Sequence, residues 1–277
     1  MPKFDVPANA CDAHVHMVAG AAEFPLWNGR VEDPAPGLDF DGWLELLAEH
    51  LDALGMTRAV IVHSILYGSD NSVTIEAVRR LGQHARGVGL LSDGAKEAEI
   101  DALAATNMKA VRLNYVHGGV LTWDRAKAMA PALAERDMHI QMLAHADQHL
   151  SDLADDVRAL PCPVVFDHCG WPIGGLTTKS EGFRALLALM AEGHAWAKLS
   201  AVYRLSRDWA QAAPVVEALV AANPDRCLWG SDWPHLMRAE AAMPDAGDLL
   251  NAFGDVVTGD TARTRILVDN PSALFGF

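Results

Sequence analysis

Three histidines and one aspartate stand at the ends of apolar runs that are far apart in the chain. His14 and His16 close the run Cys11-Asp12-Ala13-His14-Val15-His16, and His168 follows Val164-Val165-Phe166-Asp167. Asp232 follows Leu228-Trp229-Gly230-Ser231. A strand has a period of two, so His14 and His16 point to one side. Imidazoles and a carboxylate brought together can polarise a carbonyl and take a proton from water, or they can hold a metal. Each signal alone has a plainer reading: hydrogen-bonded histidines for His14 and His16, a packed core residue for His168, a helix cap for Asp232. Their shared position at strand ends is what raises them together.

Two arginines join this set. Arg112 lies inside the apolar run Val111-Arg112-Leu113-Asn114, and Arg204 follows Leu199-Ser200-Ala201-Val202-Tyr203. A cation among apolar strand residues needs an anionic partner, either a carboxylate such as Asp167 or a substrate carboxylate held by a two-pronged clamp. Asn114, Trp171, Tyr203 and His235 are the neighbouring candidates for substrate contact, and Arg207 and Arg238 lie further along their loops. His63 and His145 also end strand candidates and face the expected mouth. His50, His84 and His194 read as solvated helix residues, while His117 and His149 carry no assignment. No GxSxG elbow is present and no cysteine has a histidine partner in the pattern, which argues against a nucleophilic triad.

Positioning such a set requires a scaffold that gathers distant strand ends. Eight apolar runs suit buried parallel strands: 11–16, 59–63, 87–91, 110–114, 139–145, 164–168, 195–200 and 226–230. Helical patterns fill the gaps. In 41–55, Asp41 can cap, Leu44, Leu47, Leu51 and Leu54 form a stripe, and Gly55 stops the helix. In 180–193, Ser180 can cap, Phe183, Leu186, Leu187 and Met190 share a face, and Gly193 closes. Eight strand–helix units predict an α/β fold, a distorted (β/α)8 TIM-type barrel forming one domain over 1–277. The irregular stretch 17–40, with Pro25, Pro34 and Pro36, leaves the first strand where barrel active sites lie, and reads as a lid or as a surface loop.

The bulk composition narrows the partners. Of 277 residues, 51% are hydrophobic and 21% charged, which supplies a core. The net charge of −14 disfavours nucleic acid and anionic membranes, and no apolar run is long enough to span a bilayer. No basic patch followed by an apolar stretch opens the chain, and the four cysteines form no CxxC pair, so a cytoplasmic protein with reduced thiols is expected. What remains is a small-molecule partner, and a homo-oligomer is allowed. Any acidic substrate must be captured at short range by arginines, against the field of the whole chain.

The segments CDAHVH, GSDN, VRLN, FDHCGWP, KLSAVYRLS, LWGSDWPH and DNPSALFGF, spread over nearly the whole chain, resemble the amidohydrolase superfamily. The likeness is to its amidohydrolase-2 branch, near the pyrone dicarboxylate lactonases and related sugar-lactone hydrolases. The resemblance implies lactone hydrolysis by His14, His16, His168 and Asp232, with substrate held by Arg112 and Arg204. It also implies that no cofactor is required. The alternative is one divalent metal, zinc or manganese, on His14, His16, His145, His168 and Asp232. Three positions depart from the pyrone lactonases, which have a basic residue at Trp171, a polar residue at Leu143 and a small polar residue at Ile65. These departures predict one carboxylate or a polyhydroxylated ring in the substrate. Lactone isomerases of a neighbouring branch carry Asn at the position of Asp232, which favours hydrolysis. A zinc-dependent amidohydrolase, an isomerase, a decarboxylase and a non-catalytic binding barrel are the rival readings.

Overall fold

The structure is a computed structural model that describes residues 1–30, 32–35, 37–237 and 243–277. Pro36 and Arg238 lie outside the described residues. Eight parallel strands run in chain order: β1 (Cys11–Val15), β2 (Arg58–Val62), β3 (Ala85–Gly89), β4 (Met108–Asn114), β5 (His139–Leu143), β6 (Val164–Phe166), β7 (Ala195–Ser200) and β8 (Cys227–Gly230). β8 returns to β1 through a bridge between Val15 and Trp233. At that seam Asp232 N donates to His14 O at 2.9 Å and His16 N donates to Trp233 O at 2.7 Å. The sheet is thus a nearly closed (β/α)8 barrel.

The helices are α1 (Phe40–Leu54), α2 (Ser72–Leu81), α3 (Glu97–Ala104), α4 (Trp123–Ala134), α5 (Ala146–Ala159), α6 (Glu181–Glu192), α7 (Val202–Leu205), α8 (Ala213–Ala222), α9 (Ala246–Val256), α10 (Asp260–Thr264) and α11 (Asn270–Phe275). In α1 the cap is Asp39, whose side chain accepts from Gly42 N, and not Asp41. Phe40 and Trp43 share its buried face, with Leu44 at the margin. In α6 Ser180 caps as expected and Gly193 closes in the left-handed region, while Leu189 is buried where Leu187 was expected. Among the described residues, no helix is long and apolar enough to cross a membrane.

Inside the barrel, alternate strand residues form layers. The lower ones are apolar, with Ala13, Val60, Val88, Ala110 and Leu228 closed from below by Phe275. Above them the interior turns polar. Lys198 of β7 donates to Gln141 Oε1 of β5 at 2.7 Å, so both side chains face inward. The strands are shorter than the apolar runs suggest. β1 ends before His16, β6 before His168 and β5 before His145, so these residues lie just past the strand ends.

Register shifts in β1 between Asp12 and Val15. Asp12 then reaches His50 of α1 while His14 and His16 both reach Asp232. The described part of 17–40 is packed on the β2–α2 connection. Tyr67 donates through its hydroxyl to Ala19 O at 2.8 Å, and Trp27 N donates to Leu66 O at 2.7 Å.

Candidate active site

His14, His16, His168 and Asp232 meet at the C-terminal mouth of the barrel. Asp232 Oδ1 lies 3.6 Å from His14 Nε2, 3.4 Å from His16 Nε2 and 3.9 Å from His168 Nε2, and all four side chains are buried. Asp232 and His168 hold left-handed backbone conformations, with φ of 68° and 54°. Non-glycine residues enter that region at a cost, and such strain gathers at functional sites. Gly230 makes the β1–β8 seam possible. A Cβ there would meet His14 Cβ at 2.5 Å and His14 N at 2.8 Å.

The partners of the rings decide which nitrogen faces Asp232 with a lone pair. His16 Nδ1 is 2.7 Å from Val62 O, and a carbonyl only accepts, so Nδ1 carries the proton. His14 Nδ1 lies 3.3 Å from Asp167 Oδ1 and 3.5 Å from Lys198 Nζ; the carboxylate, which only accepts, is the nearer and favours the proton on Nδ1. His14 Nε2 is buried with no hydrogen-bond partner. Two imidazole lone pairs therefore converge on one carboxylate, and the donor atoms of His14, His16 and Asp232 lie within 4.8 Å of one another. This set fits a divalent cation, since each ligating ring is oriented from behind by an acceptor. His145 is not part of it; its Nδ1 lies 2.9 Å from Trp171 O. His168 differs from the other rings. Its Nδ1 meets the Ser200 hydroxyl at 3.0 Å, which can donate and so leave a proton on Nε2.

Below these residues is a floor of buried charges that the strand-end pattern did not single out. Asp167 lies between His14, Arg112 (3.4 Å) and Lys198 (4.0 Å). Burial alone would raise its pKa, but His14, Lys198 and Arg112 hold it far below the usual carboxylate range. Burial lowers Lys198 to about 8, against the pull of Asp167; it donates to Ala13 O at 2.8 Å. Asp12 ties the two sides of the seam. Its Oδ1 accepts from His14 N at 3.2 Å and Ser231 N at 2.9 Å, and its Oδ2 is 3.0 Å from His50 Nε2. His50 is therefore not a solvated helix residue; its side chain is 7% exposed. His84 is exposed as expected, and His194 is half-buried. A lysine in the apolar run of β7 carries the same signal as Arg112 does in β4, so Lys198 could have been found by that rule.

Asp232 is held ionised. Burial raises its pKa, while His168 and Arg204 overcome this and hold it well below the usual value. Burial, opposed by Asp232, lowers His168 to about 4, and it keeps His14 well below its usual value against the pull of Asp167, so both rings are neutral at pH 7. Tyr203 donates to Asp232 Oδ2 at 2.5 Å, and burial followed by that carboxylate raises its phenol far above the usual range.

The expected substrate residues divide into two groups. Arg112, Asn114, Trp171 and Arg204 line the cavity above Asp232, together with Leu143 and Ile65. Both arginines are engaged internally. Arg112 donates to His63 O at 3.0 Å and to Asp167, and Arg204 donates through Nε to Asp232 Oδ2 at 3.0 Å and to Leu236 O at 2.9 Å. Tyr203 stands behind Asp232, and His235 packs on its ring at 5.3 Å. Arg207 lines a separate surface groove. His63 is bound to Thr74 Oγ1 and Gly68 O, and His149 stacks on His145. Glu32, Ser64, His117, Leu236 and Met237 complete the cavity wall and were not foreseen. They come from irregular loops, where spacing carries no signal.

The fold and the site define a barrel with a histidine–aspartate centre at its C-terminal mouth. A family model described as amidohydrolase matches residues 11–277, and the chain belongs to that family. It is 34% identical over 280 residues to a 4-sulfomuconolactone hydrolase of Rhizobium radiobacter, covering 99% of this chain and 92% of the relative. It is 32% identical over 288 residues to a 2-pyrone-4,6-dicarboxylate hydrolase of Comamonas testosteroni, with the same coverage. An apo crystal structure from Agrobacterium tumefaciens matches with a TM-score of 0.85 at 26% identity, over 100% of this chain and 99% of that one.

Proposed function

We propose that this chain is a hydrolase that opens a small acidic or polyhydroxylated lactone by water attack. The observation that carries the reading is the ionised, buried Asp232 facing three imidazoles at the barrel mouth. The hydrolases of cyclic esters among its relatives support the same reaction class. In this mechanism Asp232 Oδ1 takes a proton from the attacking water as the oxygen bonds to the lactone carbonyl carbon. Tyr203 and Arg204, both on Oδ2, hold the carboxylate in place and ionised. His168, with its Nε2 proton, donates to the carbonyl oxygen as negative charge develops there. The C–O bond of the ring then breaks, and the proton on Asp232 passes to the departing oxygen to give a hydroxy acid. Arg112 and Arg204 offer their remaining N–H groups to a substrate carboxylate or hydroxyl, and Asn114 and Trp171 border the ring. His235 supports Tyr203 from behind.

A divalent metal, zinc or manganese, would be held by His14, His16 and Asp232, with His168 beside them. When bound it would supply Lewis-acid polarisation and a more acidic water. This is the second reading, and the converging lone pairs favour it. The four cysteines are unpaired and buried, which suits a reducing, cytoplasmic compartment.

The test is turnover of a panel of carboxylated and sugar-acid lactones by the purified protein, with acid release followed by titration and products by mass spectrometry. Release of the hydroxy acid with addition of one water supports the reading. An isomer of unchanged mass, or loss of carbon dioxide, transfers the chain to the isomerase or decarboxylase alternative.

A further inference from the structure

The charges around the cavity set a limit on the substrate, an argument that rests on the lactone reading. Among the described residues, the charged groups lining the cavity are Arg112, Arg204, Glu32 and Asp232, with histidines besides. Arg204 faces Asp232 and brings no uncompensated charge. Arg112 and the buried Lys198 beneath it share the single carboxylate of Asp167, so one positive charge is left over on that side of the cavity. Glu32 adds a negative charge at the rim, where its Oε2 accepts from Met237 N at 2.8 Å. The remaining wall carries no charge: Ser64 and Asn114 are neutral and polar, and Ile65, Leu143, Trp171, Leu236 and Met237 are hydrocarbon or aromatic.

Arg112 borders the cavity and has a donor to spare, since its buried Nε has no hydrogen-bond partner. A single carboxylate placed there gains a charge-assisted bond. A second anionic group would leave water for neutral side chains or for the field of Glu32, with no second surplus cation to receive it.

We infer that the substrate is a lactone bearing one carboxylate or none. Arg112 receives that group, and the ring's far edge, uncharged, lies against Ile65, Leu143 and Trp171. Glu32 rejects a second anion. This separates the chain from relatives whose names specify a dicarboxylate or a sulfonated muconolactone.

The experiment uses the purified full-length protein and two matched probes: 4-sulfomuconolactone, and the same lactone with hydrogen in place of the sulfonate. kcat/KM should favour the probe lacking the sulfonate by at least about tenfold, and Glu32→Gln should narrow that ratio by about threefold or more, because a charge at the rim is removed. Equal rates, or preference for the sulfonated probe, would overturn the inference and leave lactone hydrolysis standing. A preference that E32Q does not change would remove Glu32 as its cause. Failure of both probes and of the wider lactone panel would overturn the hydrolase reading and this inference with it.

Discussion

The floor of the site and its rim are built differently. On the floor, Lys198, Gln141, Asp167, Asp12 and His14 are buried and bonded to one another or to backbone across four strands and the β1–β8 seam. Removing one unpairs several. At the rim, Glu32, Ile65, His117, Trp171 and Met237 come from separate loops and are partly exposed or exposed. Each can change without stranding a buried charge. The floor therefore fixes what reaction is possible, and the rim fixes which molecule undergoes it.

Breaking the floor should have the largest effect. Lys198→Met leaves Ala13 O and Gln141 Oε1 without their donor and ionised Asp167 with Arg112 as its remaining cation, and should lower the unfolding free energy by about 3–5 kcal/mol. Urea unfolding measures this, and a loss under 1 kcal/mol would show that the floor is not a coupled unit.

Acid should weaken the barrel beside the floor, at the end of β2. His63 is buried, and burial brings its pKa from 6.5 down to about 4 despite the bond to Gly68 O. The unfolded chain binds that proton first as pH falls. The stabilisation is thus fully present above 6.5 and is lost progressively down to about 4, worth roughly 3 kcal/mol for this group. His63→Gln should flatten the stability profile between pH 6.5 and 4; an unchanged slope would assign the acid sensitivity elsewhere.

Closing the seam less tightly should cost activity. Gly230→Ala drives a methyl into His14 and should lower kcat about 10²-fold, since small misplacements of catalytic groups are expensive. The rim should respond least. Ile65→Ala should change kcat by less than about threefold and act mainly on KM, because its side chain borders the cavity without holding a catalytic group. A large fall in kcat here would erase the distinction between the two regions.

The sequence reveals the floor's frame and the catalytic set better than it reveals the rim. Strands buried on both faces leave apolar runs, and His14, His16, His168 and Asp232 end such runs. Lys198 follows the logic already applied to Arg112, a cation among apolar strand residues. Asp12 and His50 are harder to see. Asp12 stands where the register of β1 against β2 shifts, and it also accepts from Ser231, over two hundred residues away, so no local spacing announces its partners. The cap of α1 is ambiguous because Asp39 and Asp41 both suit the position, and only the backbone of Gly42 decides. Glu32 and Met237 meet through loop conformations that no periodicity encodes.

The central claim is that Asp232 activates water against a lactone carbonyl. Its most direct test is Asp232→Asn assayed on whichever lactone the protein turns over, with circular dichroism and thermal unfolding to verify the fold. The substitution keeps the shape and removes the base, so kcat should fall by at least ~10³-fold in a folded protein. A folded D232N enzyme with near-normal turnover would contradict the account.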